Sequence, residues 1–297
     1  MSQPAPGPAT RFGHAALAGL PNVGKSSLLN ALVGTHLAIV SPKAQTTRLP
    51  VIGLLTEGDT QYVFHDLPGL LEPGYLMQER MRAAALERLR QVHVILHLHP
   101  APDAPAPDFQ TLARLEKPLQ VPVLTVYTKA DLISRAERQD LEQRGALVVS
   151  ATPPAGLDRL LAAIRDHLPE GPFGYPPDDV GVQPLRFFAA EYLREAAFDL
   201  LGDELPYAVA AEVEEFRETS TPVYIRVTLY VERESQKAIV IGRGGRTLKA
   251  IGAQARARLE ALLGRPVYLE TWVKVLPNWR RKAPLLDRFG LTERKVL

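Results

Sequence analysis

The sequence predicts a mainly parallel α/β domain with helices on both faces of its sheet, followed by a smaller α+β domain. Three observations support this fold class. Apolar strands alternate with helices through the first part of the chain, which is the pattern of a parallel sheet. Proline and glycine then break every periodicity at 169–181, PEGPFGYPPDDVG. Beyond this break the predicted order is helix, strand, strand, helix, helix, strand, and 297 residues favour two domains over one.

Apolar patterning defines the elements of the first domain. The predicted strands lie at 12–18, 51–56, 61–66, 92–98, 121–127 and 146–150, and the predicted helices at 25–34, 76–90 and 157–168. Gly58-Asp59 lies between two alternating segments and indicates a hairpin turn there. The segment 35–50 fits neither pattern and is predicted to be irregular.

The second domain is predicted from a helix at 183–201 and alternating strands at 207–216 and 222–232. A short helix, a glycine-rich loop, a long helix ending at 263 and a strand at 267–276 follow. The resulting division of the chain is a disordered lead at 1–10, a first domain at 11–170, a linker at 171–181 and a second domain at 182–297 with a basic C-terminal tail.

Charge is distributed unevenly along the chain. Residues 233–297 contain 15 Lys and Arg against 5 Asp and Glu, although the whole chain has a net charge of only +2. Such a basic region indicates a polyanionic partner, either a nucleic acid or an anionic membrane surface. The chain has no cysteine, which excludes disulfides and thiolate metal sites and is consistent with a reducing cytoplasm.

The first glycine-rich loop, GLPNVGKS at 19–26, follows a predicted strand and opens a predicted helix. Its spacing is G-x-x-x-x-G-K-[ST], in which backbone N–H groups surround the phosphates of a nucleotide. Lys25 is then expected to reach the β- and γ-phosphates, and the Ser26 hydroxyl to bind Mg²⁺.

Acidic and hydroxyl groups farther along the chain complete a metal site. Asp66 ends a predicted strand in DLPG, where its carboxylate can support Mg²⁺ and the Gly69 N–H can meet the γ-phosphate. A threonine of QTTR, at 45–48, is expected to bind the Mg²⁺ when a triphosphate is present, so that the irregular segment orders with the nucleotide. Thr47 is favoured, with Thr46 as the alternative.

The motif TKAD at 128–131 predicts the base. Asp131 can accept hydrogen bonds from N1 and the exocyclic amine of guanine, and Lys129 can cover the base with its alkyl chain. The turn SAT at 150–152 offers a backbone N–H to the guanine oxygen. The predicted nucleotide-binding residues are Gly19, Leu20, Pro21, Asn22, Val23, Gly24, Lys25, Ser26, Ser27, Asp66, Leu67, Pro68, Gly69, Leu70, Thr128, Lys129, Ala130, Asp131, Ser150 and Ala151. The predicted metal ligands are Ser26, Thr47 and Asp66, and the predicted catalytic residues are Asn22, Lys25, Thr47 and Gly69.

With these motifs the first domain resembles the P-loop GTPases of the TRAFAC class, with two departures. Thr128 stands where the base motif usually has asparagine, and we expect weaker binding of guanine with the same base preference. Leu70 stands where Ras-like enzymes have the glutamine that orients the attacking water. Resemblance to GTPases without that glutamine implies slow turnover and K⁺ as an additional cofactor, placed near the phosphates with help from Asn22.

The second glycine-rich loop, GRGGRT at 242–247, lacks the lysine spacing of the first and lies between two predicted helices. It resembles the G-x-x-G loop of a type II KH domain, which holds about four nucleotides of single-stranded RNA by their backbone. The predicted RNA-binding residues are Ile241, Gly242, Arg243, Gly244, Gly245, Arg246 and Lys249, with Ile239, Val240 and Ile241 as the apolar floor of the groove.

A GTPase domain followed by a type II KH domain resembles the Era family of ribosome-assembly GTPases. The likeness includes LLGDELPYAVAAEVEEF, VERESQKAIVIGRGG and WVKVLPNWR in addition to the nucleotide motifs. It implies a cytoplasmic monomer that binds GTP and GDP with Mg²⁺, binds near the 3′ end of small-subunit rRNA and acts in 30S maturation. It also implies peripheral contact with the inner face of the cell membrane.

Two other functions remain open on the sequence alone. One is a metabolic P-loop kinase or ATPase, against which TKAD is the opposing observation. The other is an RNA-binding module with a hydrolytically inactive guanine-nucleotide site, which measurable hydrolysis would exclude.

Overall fold

The computed structural model of the chain describes residues 10–43, 45–115 and 117–293. Of the predicted lead at 1–10, only Thr10 belongs to these residues. The last four residues of the predicted basic tail also lie outside them.

The first domain is a six-stranded sheet in the order β2-β3-β1-β4-β5-β6. Its strands are β1 Arg11–Ala18, β2 Val51–Glu57, β3 Thr60–Asp66, β4 Val94–Pro100, β5 Val123–Thr128 and β6 Leu147–Val148. Its helices are α1 Lys25–Val33, α2 Leu76–Leu89, α3 Phe109–Ala113, α4 Arg135–Gln143 and α5 Leu157–Arg165. Only β2 runs antiparallel to its neighbour, because it is joined to β3 by the predicted hairpin. Helices α1 and α5 pack on one face of the sheet, and α2 and α3 on the other.

The last predicted strand of this sheet is shorter than expected. Pairing with β5 ends after Val149, whose N–H donates to Tyr127. Ser150 and Ala151 then form β7, which pairs with β8 Pro154–Ala155 in a separate small hairpin. At the point where the chain leaves the sheet, the Ser150 hydroxyl donates to the Asp131 carboxylate of the base motif.

The second domain is a three-stranded sheet in the order β11-β10-β9, in which β10 is antiparallel to β9 and parallel to β11. Its elements are α6 Leu185–Leu200, α7 Leu205–Ala208, β9 Ala210–Arg217, β10 Val223–Val231, α8 Glu234–Ile241, α9 Arg246–Leu263, β11 Val267–Val275 and α10 Ala283–Arg288. Helices α6, α8 and α9 cover one face of this sheet. Helices α3, α4, α7 and α10 were not predicted, because α3, α7 and α10 are too short for a helical periodicity to be read and α4 has no buried residue. The prediction of a strand from residue 207 was wrong at its start, since Tyr207 and Ala208 belong to α7 and β9 begins at Ala210. The fold is therefore the predicted α/β domain followed by a KH-type α+β domain.

The predicted linker runs along the edge of the first sheet. The Gly171 N–H donates to Thr10, and the Leu54 N–H on edge strand β2 donates to Val180 at 2.9 Å. The buried side chain of Gln61 holds the middle of the segment by accepting from the N–H groups of Gly174 and Tyr175. These bonds tie the segment to the first domain.

Apolar side chains of the two domains pack together in common buried clusters. One buried cluster contains Leu28 and Leu32 of α1 together with Phe188 and Tyr192 of α6. A second cluster joins Met77 and Met81 of α2 to Trp279, Leu286 and Leu291 near the C-terminus. The nucleotide motifs therefore lie in a domain that packs directly on its neighbour.

Candidate functional site

The first glycine loop connects β1 to α1 at the carboxyl ends of the parallel strands, where α/β folds place their ligands. Gly19 and Gly24 have φ angles of 152° and 94°. A Cβ atom on Gly19 would lie 2.5 Å from the Leu98 carbonyl oxygen, so this position requires glycine. The loop borders a cleft of about 410 Å³ that also contacts Gly69 and Lys129.

Lys25 is buried beneath this loop. Its Nζ donates to the carbonyl oxygens of Leu20 at 2.7 Å and of Gly19 at 3.4 Å. Burial lowers the pKa of the Lys25 ammonium to about 8, although the charge of Asp66 opposes that shift. A phosphate in the cleft would stabilise the charged ammonium and so restore its proton affinity.

Three oxygen-bearing side chains converge next to Lys25. Ser26 Oγ donates to Asp66 Oδ2 at 2.7 Å, and Thr47 Oγ1 lies 3.0 Å from each of these two atoms. The second carboxylate oxygen of Asp66 is buried and has no hydrogen-bond partner among the described residues. Burial raises the pKa of this carboxyl, whereas Lys25 and the two hydroxyls lower it.

These donors suit a magnesium ion, because Mg²⁺ prefers carboxylate and hydroxyl oxygens and leaves positions for phosphate. The orphaned Asp66 oxygen is the observation that supports this assignment, since a cation would satisfy it. Of the two candidate threonines, Thr47 is the one beside Ser26 and Asp66. The Thr46 carbonyl instead accepts from Arg194 of the second domain.

The DLPG motif lies against the first loop through its backbone. A Cβ atom on Gly69 would be 2.9 Å from the Pro21 nitrogen, and the Leu70 N–H donates to Gly19 at 3.0 Å. The Leu70 side chain is 2% exposed and packs beneath α2. Leu67 is likewise buried there, whereas the exposed Asn22 donates from Nδ2 to the Pro42 carbonyl at 2.9 Å.

The base motif is tied to the first loop by its threonine. Thr128 Oγ1 donates to the Val23 carbonyl at 2.5 Å, and so uses its single proton on the protein. Asp131 Oδ1 accepts from Ser150 Oγ at 2.8 Å, which leaves its other oxygen for a ligand. Lys129 has a left-handed backbone, and Ala130 N–H donates to Val149. The structure thus connects the first glycine loop with QTTR, DLPG and TKAD, and TKAD with SAT.

Sequence patterns did not reveal how the second domain holds the segment 37–49, which we call the switch segment because it contains Thr47. The fully buried carboxylate of Glu195 on α6 accepts from the Val40 N–H at 3.1 Å and forms an ion pair with Arg258 of α9 at 2.6 Å. Glu195 also contacts His36 at 3.0 Å. One carboxylate therefore connects the switch segment to the helix that begins at the second glycine loop.

Arg48 is the other buried contact of the switch segment. Its guanidinium donates to the Val209 and Tyr207 carbonyls at 2.6 and 3.1 Å, and lies over the rings of Phe198 and Trp279. Arg80 of α2 also bonds across the domain interface, to Asp287 and to the Leu291 carbonyl of the second domain. A buried arginine cannot be distinguished from an exposed one by residue type, so no sequence signal indicated these roles.

The second glycine loop is open to solvent. Gly244 and Gly245 have φ angles of 60° and 76°, and a Cβ on either would meet nothing within 4 Å. Arg243, Arg246 and Lys249 are exposed, and none of the described residues pairs with them in a salt bridge. Three free cations on a helix N-terminus suit a phosphate backbone.

A groove of about 400 Å³ runs beside this loop, between α9 and the edge strand β11. Leu269 and Thr271 form its strand side, and Leu248, Lys249 and Arg256 its helix side. The predicted apolar floor needs correction: Val240 is fully buried and points into the core, Ile241 packs partly against that core, and Ile239 is exposed. Helical geometry is the reason, because three successive residues of α8 cannot share one face.

A larger groove of about 710 Å³ lies between β5, α4 and the proline-rich loop after β4, but no predicted site residue lines it. No helix in the described ranges has the length and apolar content that crossing a membrane requires.

Comparison with known proteins agrees with the geometry of both loops. A family model described as 50S ribosome-binding GTPase matches residues 14–129, and a KH domain model matches 204–280. The chain is 40% identical to GTPase Era of Carboxydothermus hydrogenoformans and 39% identical to that of Heliobacterium modesticaldum. These matches cover 95% and 96% of this chain and 98% of each relative.

Solved structures of Era proteins are also similar to this chain. The Aquifex aeolicus Era variant bound to GDP·AlF4⁻ has a TM-score of 0.88 at 37% identity, covering 96% of this chain and all of that one. An Era complex with MgGDPNP and nucleotides 1506–1542 of 16S ribosomal RNA matches with the same TM-score, identity and coverage. With both domains matched over nearly their whole length, the chain belongs to the Era family of GTPases.

Proposed function

We propose that this protein hydrolyses GTP to GDP as a switch, binds single-stranded rRNA near the 3′ end of the small-subunit rRNA and assists maturation of the 30S subunit. One observation carries the proposal: an enclosed phosphate loop and an exposed G-x-x-G loop occur in one chain, connected through the switch segment. A relative of the same architecture has been crystallised with both MgGDPNP and a 16S rRNA fragment.

The proposed chemistry divides among the residues of the cleft. The N–H groups of the first loop and the Lys25 ammonium hold the phosphates, and Ser26, Thr47 and Asp66 would hold Mg²⁺. When bound, this ion supplies positive charge to the phosphate oxygens. The backbone of Gly69 lies at the edge of the same cleft, where its N–H can meet the γ-phosphate and fix its orientation.

We further propose that K⁺ stimulates hydrolysis. The Leu70 side chain is buried, so it cannot orient water, and Leu67, Pro68 and Gly69 have no polar side chain that could do so. Asn22 lies at the cleft with its carbonyl oxygen uncommitted, while its amide nitrogen is bonded to Pro42. That oxygen is a ligand of the type that K⁺ accepts.

The experiment for K⁺ compares turnover in KCl and NaCl at equal ionic strength, with Asn22→Ala as the matched variant. We expect faster turnover in KCl and a smaller difference in Asn22→Ala. Equal rates of the wild-type protein in the two salts would contradict the role of K⁺ without affecting GTP binding.

We extend the proposal to a cytoplasmic monomer that contacts the inner face of the cell membrane peripherally. The family resemblance and the basic region after residue 233 support this extension. Vesicle sedimentation with and without anionic lipid tests the membrane contact, and light scattering tests the monomer.

The main experiment titrates the full chain with a fluorescent non-hydrolysable GTP analogue and with labelled RNA from the 3′ end of 16S rRNA. We expect both to bind, ATP to compete poorly against the GTP analogue, and EDTA to weaken nucleotide binding. Efficient competition by ATP would favour a P-loop kinase or ATPase. Binding of both ligands with no hydrolysis above background would favour an RNA-binding module with an inactive site.

A further inference from the structure

The face of the second sheet that its helices leave uncovered has an unusual set of side chains. Alternate residues of β10 and β11 point to this face, and neighbouring strands pair Tyr224 with Tyr268, Arg226 with Glu270, and Thr228 with Trp272. We call Tyr224, Tyr268 and Trp272 the aromatic face.

Only part of this open sheet surface is covered. At one end, Tyr230 packs against Phe289 and bonds to Arg288 of the C-terminal helix. At the other end, Tyr268 is 57% exposed and Trp272 is 53% exposed. Two large aromatic side chains on one edge strand are more exposed than packing within the fold can explain, and such rings are typical of binding surfaces.

Hydrogen bonds hold the aromatic face in place. The Glu270 carboxylate accepts from Tyr224 Oη, from Trp272 Nε1 at 2.7 Å and from Arg226 Nε at 3.1 Å. The Tyr224 and Tyr268 rings stack with centroids 5.8 Å apart at an angle of 12°. Because these rings are already oriented, a ligand that stacks on them loses little free energy to the ordering of side chains.

The aromatic face continues the RNA groove around one strand. Leu269 and Thr271 of β11 line the groove beside the G-x-x-G loop, whereas Tyr268 and Trp272 point to the opposite face of the same strand. In the described structure β11 is an edge strand, so no further strand blocks the way from one face to the other. A nucleic-acid strand leaving the groove across this edge therefore arrives at Trp272 and Tyr268.

Charge on this surface indicates how such a strand would be held. Arg217 and Arg226 are paired with Glu215 and Glu270, and Lys274 with Glu214. The surface is therefore nearly neutral, in contrast to the unpaired cations of the G-x-x-G loop. A neutral surface with exposed rings suits base stacking rather than phosphate binding.

We propose that the aromatic face is a second RNA subsite, on which bases that extend beyond the G-x-x-G groove stack on Trp272 and Tyr268. This inference rests on the proposed RNA binding. It adds that full affinity requires an RNA longer than the segment held in the G-x-x-G groove. The G-x-x-G loop holds about four nucleotides, and the RNA bound by the related Era protein is much longer.

The test uses fluorescently labelled RNAs cut from the segment that corresponds to 1506–1542 of 16S rRNA, about four and about ten nucleotides long, titrated with the full chain. We expect Trp272→Ala to weaken binding of the long RNA roughly tenfold and to leave the short RNA unchanged. Tyr268→Ala should act in the same direction, while Trp272→Phe, which keeps a ring, should retain most of the affinity.

Salt dependence gives a second, independent readout. Trp272→Ala should leave the slope of log affinity against log salt unchanged, because no phosphate contact is lost. Unchanged binding of the long RNA in Trp272→Ala would overturn the subsite and leave the G-x-x-G groove intact, and would favour a protein partner for the aromatic face. Failure of the wild-type chain to bind either RNA would instead overturn the proposed function and the subsite with it.

Discussion

The two glycine-rich loops contain similar residues but have opposite environments. In the first loop, Gly19 is required because the Leu98 carbonyl oxygen leaves no room for a Cβ, and the lysine at the end of the loop is buried. In the second, Gly242 packs closely against Thr247, but Gly244 and Gly245 have open space around them and the adjacent cations are exposed. An enclosed loop suits a small ligand that is surrounded on several sides, whereas an exposed loop suits a polymer that passes over it. Surroundings, more than glycine content, distinguish the two kinds of phosphate site.

The largest effect is expected at the exposed loop. Replacing Arg243 and Gly244 together by aspartate puts two negative charges where the RNA backbone approaches, and we expect RNA binding to be abolished. Basal GTP hydrolysis should stay within about twofold, because repulsion at this loop acts on phosphates of the RNA only. Aspartate tolerates the left-handed backbone of Gly244, so the fold should persist. Fluorescence anisotropy measures binding of labelled RNA and of a labelled GTP analogue, and release of phosphate from GTP measures hydrolysis. Loss of nucleotide with RNA binding retained would assign the second loop to the nucleotide.

The complementary change is Lys25→Ala in the enclosed loop. Loss of a charged hydrogen-bond donor should weaken binding of the GTP analogue by about 2–3 kcal/mol, roughly 30- to 150-fold. RNA affinity measured without nucleotide should be unaffected. A matching loss of RNA binding in the absence of nucleotide would show that the two loops do not work separately.

Base preference should change with Asp131→Asn. The Ser150 hydroxyl can still donate to the amide oxygen, which leaves the amide NH₂ facing the base. We expect about 1–3 kcal/mol weaker binding of GTP and a gain for xanthosine triphosphate, whose 2-oxo group accepts from that NH₂. Competition titrations with the two nucleotides measure the change. Unaltered GTP affinity would mean that the base is recognised elsewhere.

The smallest effect is a gain of affinity in Thr128→Asn. Thr128 uses its only proton on the Val23 carbonyl, whereas an asparagine amide has a second N–H for the base. We expect GDP to bind tighter by about 0.5–1.5 kcal/mol, as measured by calorimetry. Thr128→Val, which has no hydroxyl, is the matched control and should bind more weakly than wild type. Weaker binding in the asparagine variant would show that the buried position cannot hold the larger side chain.

Local patterns predicted most of the fold and placed the first glycine loop, DLPG, TKAD and SAT at the same edge of the sheet, because each of these motifs stands at the end of a strand whose position the apolar pattern reveals. Contacts between the domains could not be predicted in this way. Arg48, Arg194 and Glu195 are charged residues that a sequence pattern assigns to the surface, and burial becomes apparent only when two domains pack. Val240 was assigned to the groove for a different reason: three successive residues were placed on one face, which the helical geometry of α8 does not allow.

The switch segment has one further consequence, which concerns local stability. Between 37 and 49 its described residues form no helix or strand, so its order depends on side chains from the nucleotide site on one side and the second domain on the other. Segments of this type open at a lower free energy than the surrounding elements and behave as separate cooperative units. We therefore expect exchange of the Val40 amide hydrogen, which is bonded to Glu195, to report on the docking of the second domain. If a bound nucleotide engages Thr47, we expect it to slow exchange of the Val40 amide from the opposite end of the switch segment.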